Sequence, residues 1–181
     1  MVRKFSPEDI ISQNLVKSSV QRNLKLNIVK QYPILKDTID AIFPKKSQVY
    51  TAKCQEHITL IIVCGEIVFF QQRDGPWIPS LRLIHKYPPL LPKMQIDSGA
   101  IKFILRGSNI MCPGLTSPDG YMDEVEANTV VQITANGRVH ACAIGITAMS
   151  TQEIRDKNRD VGVETLHHLN DGIWHYDASK L

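Results

Sequence analysis

The segment DSGAIKFILRGSNIMCPGLTS, residues 97–117, decides the fold of the second half of this chain. Its first part has the pattern of a helix that Ser98 is placed to cap. Apolar residues available for a core follow the cap, namely Ala100, Ile101, Phe103, Ile104 and Leu105. Gly107 then predicts the end of the helix, because glycine is favoured where a helix terminates.

Two cations and a loop complete the segment. Pro113 and Gly114 stand side by side, which predicts a rigid turn whose backbone is open to a ligand. Lys102 and Arg106 are one helical turn apart, so a regular helix would place both on one face. The segment therefore predicts a positively charged helix edge beside a Gly-Pro loop.

The composition is that of a globular protein. Of the 181 residues, 43% are hydrophobic and 22% are charged, which is enough apolar material for one large or two small cores. The longest apolar run, at residues 58–70, is interrupted at Gly65-Glu66 and is too short to span a membrane. The N-terminal segment MVRKFSPEDIIS lacks the apolar core of a signal peptide. We therefore expect a soluble, cytoplasmic protein.

Charge and proline content both change near residue 92. Residues 1–92 contain 13 Lys and Arg against 7 Asp and Glu, whereas residues 93–181 contain 8 against 11. The segment YPPLLPK at residues 87–93 has the proline content of a stiff linker. We therefore predict an N-terminal domain over residues 1–92 and a second domain over residues 93–181. The basic first half indicates either a polyanionic or acidic partner or ordinary solvated lysines, and charge alone favours neither.

The pattern of the first half predicts two helices followed by a sheet. A helix is expected from Ser18 or Ser19 to about Gln31, with a buried stripe formed by Val20, Leu24 and Ile28. A second helix is expected between Pro33 and Pro44, with a stripe formed by Leu35, Ile39 and Ile42. Strands are expected at QVYTAKC, HITLIIV and EIVFFQQ, with a tight hairpin at Cys64-Gly65. A short helix at SLRLIHKY should end before Pro88.

The second half is predicted to be mostly antiparallel strands. Two apolar runs flank Asn136-Gly137, which predicts a hairpin because both residues tolerate positive φ. Ser150 and Glu153 form a capping box that opens a helix, and Gly162 is expected to close it. Further strands are expected at MQID, VETLHHL and IWHY. The fold class is therefore α+β: an α/β domain with a mostly antiparallel sheet and two helices, followed by a small β-domain.

No arrangement of residues in the sequence indicates a catalyst or a metal site. Nucleophile-elbow, Walker and Gly-x-Gly-x-x-Gly motifs are absent from it. The cysteines form no Cys-x-x-Cys pair and are expected to be reduced and mostly buried: Cys54, Cys64, Cys112 and Cys142. Four carboxylates cluster in a segment typical of a surface loop: Asp119, Asp123, Glu124 and Glu126. Asp97 is expected to cap or turn the chain before its helix. We predict that the protein is not an enzyme and uses no metal and no cofactor.

The segment IDSGAIKFILRGSNIMCPGL resembles the signature of the PUA domain, a small pseudo-β-barrel found in pseudouridine synthases and archaeosine transglycosylases. The resemblance implies that this helix and loop form a groove that holds RNA. It implies roles for Gly99, Lys102, Arg106, Gly107, Ser108, Asn109, Met111, Pro113 and Gly114. Glycine lets a phosphate approach the backbone, and lysine and arginine add salt-dependent attraction. The PUA family usually has a small residue at the position of Arg106 and alanine at that of Ser108, so Arg106 would add a cation.

A second resemblance covers essentially the whole chain. Residues 69–103 and the segment GIWHY near the C-terminus are similar to the translation-machinery-associated proteins of fungi, which correspond to the malignant T-cell-amplified sequence family of animals. This resemblance implies a pre-PUA domain followed by a PUA pseudo-β-barrel, without catalytic activity. It implies a heterodimer with a density-regulated-protein-like chain, which binds the small ribosomal subunit. It also implies contact with ribosomal RNA and the tRNA acceptor end, and a role in recycling and reinitiation.

Surface candidates in the first half follow from this resemblance. Basic residues that could contact ribosomal RNA are Lys17, Arg22, Lys25, Lys30, Lys45 and Lys46. Apolar residues that could bind the partner chain are Phe69, Phe70 and Trp77. Trp77 is expected either to plug the space between the domains or to anchor a partner. The alternative functions are an RNA-targeting accessory subunit of an RNA-modifying enzyme and a protein-interaction adaptor with a degenerate groove.

Overall fold

Two β-sheets, one in each half of the chain, organise this computed structural model, which describes residues 5–177. The first half contains β1 (Ile10–Leu15), α1 (Ser18–Gln31), α2 (Ile39–Ile42), β2 (Val49–Cys54), β3 (Ile58–Val63), β4 (Glu66–Gln72), β5 (Ile78–Pro79) and α3 (Leu81–Lys86). The second half contains β6 (Lys93–Ile96), α4 (Ile101–Ile104), β7 (Ile110–Met111), α5 (Cys112–Thr116), β8 (Tyr121–Met122), β9 (Val130–Ala135), β10 (Ala143–Thr147), α6 (Thr151–Lys157), β11 (Val161–His168) and α7 (Gly172–His175). The predicted α+β class is confirmed.

The first sheet is antiparallel, with its strands in the order β1-β2-β3-β4-β5. The predicted hairpin between β3 and β4 is present. Cys64 and Gly65 both have positive φ, at 51° and 79°, which is the backbone that a type I′ turn requires. Strand β1 lies at one edge of the sheet, so its outer backbone groups are not paired with another strand of the sheet.

The two predicted helices of the first half are shorter or less buried than expected. Helix α1 begins at Ser18, and its N-cap is Lys17, so no serine side chain caps it. Val20 is 48% exposed whereas Ile28 is fully buried, because α1 approaches the core at its C-terminal end. The second helix is divided into a 3-10 turn, Pro33–Leu35, and the single α-helical turn α2. Its predicted stripe is nevertheless buried, as expected.

The second sheet has the order β7-β11-β10-β9-β6-β8, and it curls into a partly closed barrel. Its neighbours are antiparallel except for β6 and β9, which run parallel with Lys93 opposite Gln132. The hairpin predicted at Asn136-Gly137 is confirmed, since β9 and β10 pair and Gly137 has a φ of 76°. The connection is longer than a two-residue turn, because β10 begins at residue 143.

Two predictions in the second half are wrong: the end of one helix and the type of one element. The capping box of Ser150 and Glu153 opens α6 as expected, but the helix ends at Asn158, which takes the left-handed backbone instead of Gly162. Gly162 lies within β11. The segment IWHY was expected to be a strand, yet its first three residues belong to α7, because the Asp171 carboxylate caps that helix by accepting a hydrogen bond from the Trp174 amide at 2.9 Å.

The two halves pack directly on each other. Ile173 and Tyr176 from the end of the chain belong to the same buried cluster as the first sheet, and the Tyr176 ring meets Phe5 edge-on at 5.9 Å. A Cβ at Gly172 would lie 1.6 Å from the Phe5 carbonyl oxygen, so this close approach requires glycine. No helix within the described residues is both long and apolar enough to cross a membrane.

Candidate nucleic-acid interface

The chain after β6 forms a tight helical turn, which begins the segment of residues 97–117. The Asp97 carboxylate accepts a hydrogen bond from the Ala100 amide at 3.1 Å, so Asp97 caps the turn and Ser98 does not. Helix α4 is a single turn. Gly107, with a φ of 83°, ends it as predicted, and its amide donates to the Ile104 carbonyl at 2.8 Å.

The loop after α4 is tied to strand β11. The Thr165 hydroxyl donates to the Ser108 carbonyl at 2.8 Å, and the Thr165 amide donates to the Asn109 side-chain oxygen at 3.1 Å. Pro113 then occupies the first turn of α5, where its missing amide proton costs nothing. These contacts fix the loop on one side of a groove.

A groove of about 490 Å³ lies between this loop and α4. Four of the residues predicted for an RNA site line it: Ser108, Asn109, Met111 and Gly114. Five further lining residues were not predicted from the sequence: Ile96, Ala100, Phe103, Ile104 and Ile110. The wall is mainly apolar with a few polar groups, an arrangement typical of sites that take a flat organic group.

Phe103 is the main correction at this groove. Its place in the apolar pattern predicted a core residue, but Phe103 is 50% exposed. Met111, which also lines the groove, is 49% exposed. Because α4 is one turn long, Ile104 is its buried residue. The Lys102 ammonium lies 5.1 Å from the centroid of the Phe103 ring. An exposed ring beside a cation is a common platform for a stacked base and its phosphate.

Several of the predicted cations and glycines lie outside the lining of this groove. Arg106 lies in the turn after α4, so it does not belong to one regular helix with Lys102. Both cations are exposed and neither lines the groove. Gly99 and Pro113 are also exposed outside it, and Gly107 is buried.

Gly114 provides space in the groove. Its φ is not positive, and a Cβ would meet the Asp97 carboxylate at an ordinary contact distance of 3.9 Å. A larger side chain at this position is therefore compatible with the backbone, and it would add volume at the lining of the groove.

Five of the six basic candidates in the first half are exposed, namely Lys17, Arg22, Lys30, Lys45 and Lys46. Lys25 does not belong to this open surface. Its ammonium is 2.8 Å from the Asp40 carboxylate and donates to the Phe43 carbonyl at 2.9 Å. The hydrogen bond and charge of Lys25 lower the pKa of Asp40 below its ordinary value. Lys25 therefore links α1 to α2.

Two of the three partner candidates cannot act as surface anchors. Phe69 and Phe70 are fully buried, because β4 is an interior strand and both of its faces are covered. Trp77 is half-buried against the core of the first half, and its carbonyl accepts from Gln31 at 2.8 Å and from the Tyr32 hydroxyl at 2.6 Å. Exposed apolar side chains of this half are instead Ile11, Leu15, Val20, Leu26 and Ile34.

The cysteines have the character of packing residues. Burial raises the pKa of Cys54 and of Cys142 to about 11, and burial also raises the pKa of Cys112. The expected burial is confirmed for these three thiols, whereas Cys64 is exposed in its hairpin. Within residues 5–177, no three His, Cys, Asp or Glu side chains are grouped so that they could hold a metal ion.

Comparisons with known proteins agree with this geometry. Residues 5–88 match the Pre-PUA-like domain family, and residues 92–169 match the PUA domain family. The chain is 49% identical over 176 residues to a malignant T-cell-amplified sequence 1 homolog of Drosophila melanogaster, covering 96% of this chain and 97% of that one. It is 44% identical over 181 residues to human malignant T-cell-amplified sequence 2, covering 99% and 100% of the two chains.

Solved structures support the fold alone. A hypothetical protein from Pyrococcus horikoshii is similar with a TM-score of 0.70 at 21% identity, covering 90% of this chain and 98% of that one. A PUA domain protein from Aeropyrum pernix, crystallised with tartrate, is similar with a TM-score of 0.66 at 20% identity, covering 90% and 89%.

Proposed function

The chain belongs to the malignant T-cell-amplified sequence family, and we propose that it is a non-catalytic RNA-binding translation factor of the cytoplasm. With a density-regulated-protein-like partner, it binds the small ribosomal subunit and promotes tRNA release in post-termination recycling and reinitiation. Residues 93–181 handle the tRNA, and residues 1–92 contact ribosomal RNA and the partner. The groove with exposed Phe103 beside Lys102 is the observation that carries this proposal.

The groove is suited to a single-stranded RNA end. A base can stack on the exposed Phe103 ring, while the Lys102 ammonium attracts the adjoining phosphate. Apolar walls offer few groups that distinguish one base edge from another. The site therefore accepts the acceptor ends of many tRNAs without strong preference among them.

Charge reversal in the Lys102→Glu, Arg106→Glu double variant should weaken tRNA binding and flatten its dependence on salt. Each lost phosphate contact reduces the slope of log K against log salt by about 0.7 for single-stranded RNA. The measurement is a salt titration of tRNA binding. Partner binding should persist. A folded double variant that handles tRNA like the wild type would exclude these cations from the RNA site.

The exposed basic residues of the first half are proposed to contact ribosomal RNA. Lys45→Glu with Lys46→Glu should reduce co-sedimentation with small ribosomal subunits, and the difference from wild type should be largest at low salt and shrink as salt rises, because the lost contacts are the salt-dependent ones. Stability should change by no more than about 0.5 kcal/mol, since both side chains are exposed. Lys36→Glu with Lys53→Glu is the matched control, because it makes the same charge change at exposed positions elsewhere. Equal losses in both variants would show a nonspecific charge effect.

Partner binding is proposed to use exposed apolar residues of the first half, in place of the buried Phe69 and Phe70. On the edge strand β1, Ile11 is 71% exposed and Leu15 is 57% exposed. Ile11→Glu with Leu15→Glu should reduce capture of the partner at least tenfold, since charges would have to be desolvated in the interface. Val139→Glu, at an 88% exposed position in the second half, is the control. If the Ile11→Glu, Leu15→Glu variant captured the partner as well as the wild type does, the partner site would lie elsewhere.

The whole proposal is tested by purifying the tagged full chain from cells. Small ribosomal subunits and a second protein of the density-regulated type are expected to accompany it. Recovery of an RNA-modifying enzyme without small subunits would support the accessory-subunit function instead.

A further inference from the structure

The turn after β9 holds an asparagine–glycine pair at the surface of the protein. Asn136 and Gly137 are both exposed and follow directly on the last residue of the strand. The Arg138 amide donates to the Ala135 carbonyl at 2.9 Å, which closes a β-turn around the pair. Gly137 has a φ of 76° and the φ of Asn136 is not positive, as in a type II turn. A backbone conformation that favours glycine therefore lies directly after an exposed asparagine.

The turn leaves two mutually reactive groups of this pair without a partner. Within residues 5–177, no hydrogen bond engages the Gly137 amide or the Asn136 side chain. A Cβ built at Gly137 would meet no atom within 4 Å, so the space around its backbone is open. The Gly137 nitrogen and the Asn136 side-chain carbonyl belong to adjacent residues. Rotation about the bonds of Asn136 is therefore enough to bring them together in a five-membered ring.

The chemistry open to this pair is deamidation through a cyclic imide. The Gly137 nitrogen loses its proton to hydroxide and forms a bond to Cγ of Asn136, while the bond from Cγ to the side-chain nitrogen breaks and ammonia leaves. Water then opens the imide. Attack at the side-chain carbonyl gives aspartate, and attack at the backbone carbonyl gives isoaspartate, whose main chain runs through the former side chain. Because both reactants belong to one chain, no catalyst has to bring them together.

The other asparagines of the chain lack this combination. Each is followed by a residue that has a side chain: Asn14, Asn23, Asn27, Asn109, Asn128, Asn158 and Asn170. Asn128 is the closest match, since it too is exposed in a loop, but the amide of Thr129 donates to the Thr147 hydroxyl at 2.9 Å. Aspartate also precedes glycine in this chain, at Asp74, Asp119 and Asp171. A carboxylate is a poorer electrophile than an amide, so these pairs react more slowly.

The chain around the turn is open to an enzyme that would act on the product. Residues 136–140 are exposed, with Val139 at 88%, and β10 begins only at residue 143. An isoaspartate at residue 136 would carry its free carboxylate in this open segment. Each event also replaces a neutral amide by a carboxylate, so the formal net charge of +3 decreases by one.

We propose that Asn136 is a site of spontaneous deamidation in the folded protein, and that the isoaspartate formed there is a substrate for an S-adenosylmethionine-dependent carboxyl methyltransferase. The methyl group passes from the sulfonium to the free carboxylate, which gives a methyl ester and S-adenosylhomocysteine. The Gly137 nitrogen then attacks the ester, methanol leaves and the imide is restored, so that the isoaspartate has a route back to aspartate. This reactivity does not depend on the proposed role in translation.

The full folded chain is incubated in heavy-oxygen water at mildly alkaline pH and then digested with trypsin in ordinary water. One tryptic peptide, residues 107–138, contains Asn109, Asn128 and Asn136. Fragmentation in the mass spectrometer should place heavy oxygen at residue 136 and leave the other two asparagines unlabelled. The rate should rise in proportion to the hydroxide concentration, because the attacking nitrogen must lose a proton. Only conversion that precedes digestion carries the label.

Two variants and an enzyme assay refine the test. Asn136→Gln should abolish labelling at this position, because its longer side chain would have to close a larger ring. Gly137→Ala should slow the labelling about tenfold or more, because a Cβ restricts the backbone and hinders the approach of the nitrogen. An isoaspartate-specific carboxyl methyltransferase with labelled S-adenosylmethionine should modify aged wild type more than aged Asn136→Gln.

Three results would overturn the proposal. The first is that Asn136 of the folded wild type gains heavy oxygen no faster than Asn128. The second is that Asn136 gains it only when the chain is unfolded in urea, because the fold would then protect the pair. The third is that the methyltransferase does not modify aged wild type. All three use the wild-type chain, so misfolding of a variant would not obscure them.

Discussion

Replacing Phe103 with alanine is expected to weaken binding of a single-stranded tRNA acceptor end by about ten- to a hundredfold. Stacking of one base on an aromatic side chain contributes about 1–3 kcal/mol by alanine substitution. The ring is 50% exposed, so its removal should cost little stability. Fluorescence anisotropy with a 5′-labelled oligonucleotide measures the affinity, and urea unfolding verifies the fold.

Matched variants separate stacking from general loss of apolar surface. Leu26→Ala removes another exposed apolar side chain, 62% exposed on α1, and should leave RNA affinity unchanged. Phe103→Trp keeps a ring and should retain binding. Gly114→Val should weaken binding by filling the groove without a change of charge. If folded Phe103→Ala binds the oligonucleotide like the wild type, the groove does not hold a stacked base.

Asp171→Ala is expected to lower the free energy of unfolding by about 3–5 kcal/mol. The buried carboxylate accepts from the His167 side chain and from the amides of His168 and Trp174. Alanine leaves these donors without their acceptor and removes the N-cap of α7, where each loss costs about 1–2 kcal/mol. Urea unfolding at neutral pH measures the change. Asp119→Ala, which removes an exposed carboxylate, should change stability by no more than about 0.5 kcal/mol.

The same carboxylate predicts a pH dependence. The folded pKa of Asp171 is lowered, so its contribution is fully present above the unfolded pKa of about 3.9 and is lost as pH falls through the folded pKa. Asp171→Asn keeps a cap but cannot titrate. The stability difference between wild type and Asp171→Asn should therefore shrink as pH falls below about 4. A loss under about 1 kcal/mol for Asp171→Ala, or a difference that is constant with pH, would contradict this account.

Local signals in the sequence predicted most of the secondary structure. Cys64-Gly65 and Ser150-Glu153 identified a hairpin and a helix start, because turn backbone and capping hydrogen bonds depend on neighbours in sequence. IWHY failed as a strand, since its helix depends on a cap from Asp171 and on burial against the first half. Helix α6 ends at Asn158 and not at the predicted Gly162, because asparagine also tolerates the left-handed backbone.

The sequence by itself determined the family, the two sheets and the location of the groove segment, because motifs and hydrophobic periodicity are properties of neighbouring residues. It did not determine which apolar side chains of those elements stay exposed. Phe103 was assigned to the core and is exposed, whereas Phe69 and Phe70 were assigned to the surface and are fully buried. Tertiary structure decided these cases, because burial depends on whether a distant element covers a face. Phe103 is exposed because α4 is a single turn, and Phe69 and Phe70 are buried because β4 is an interior strand.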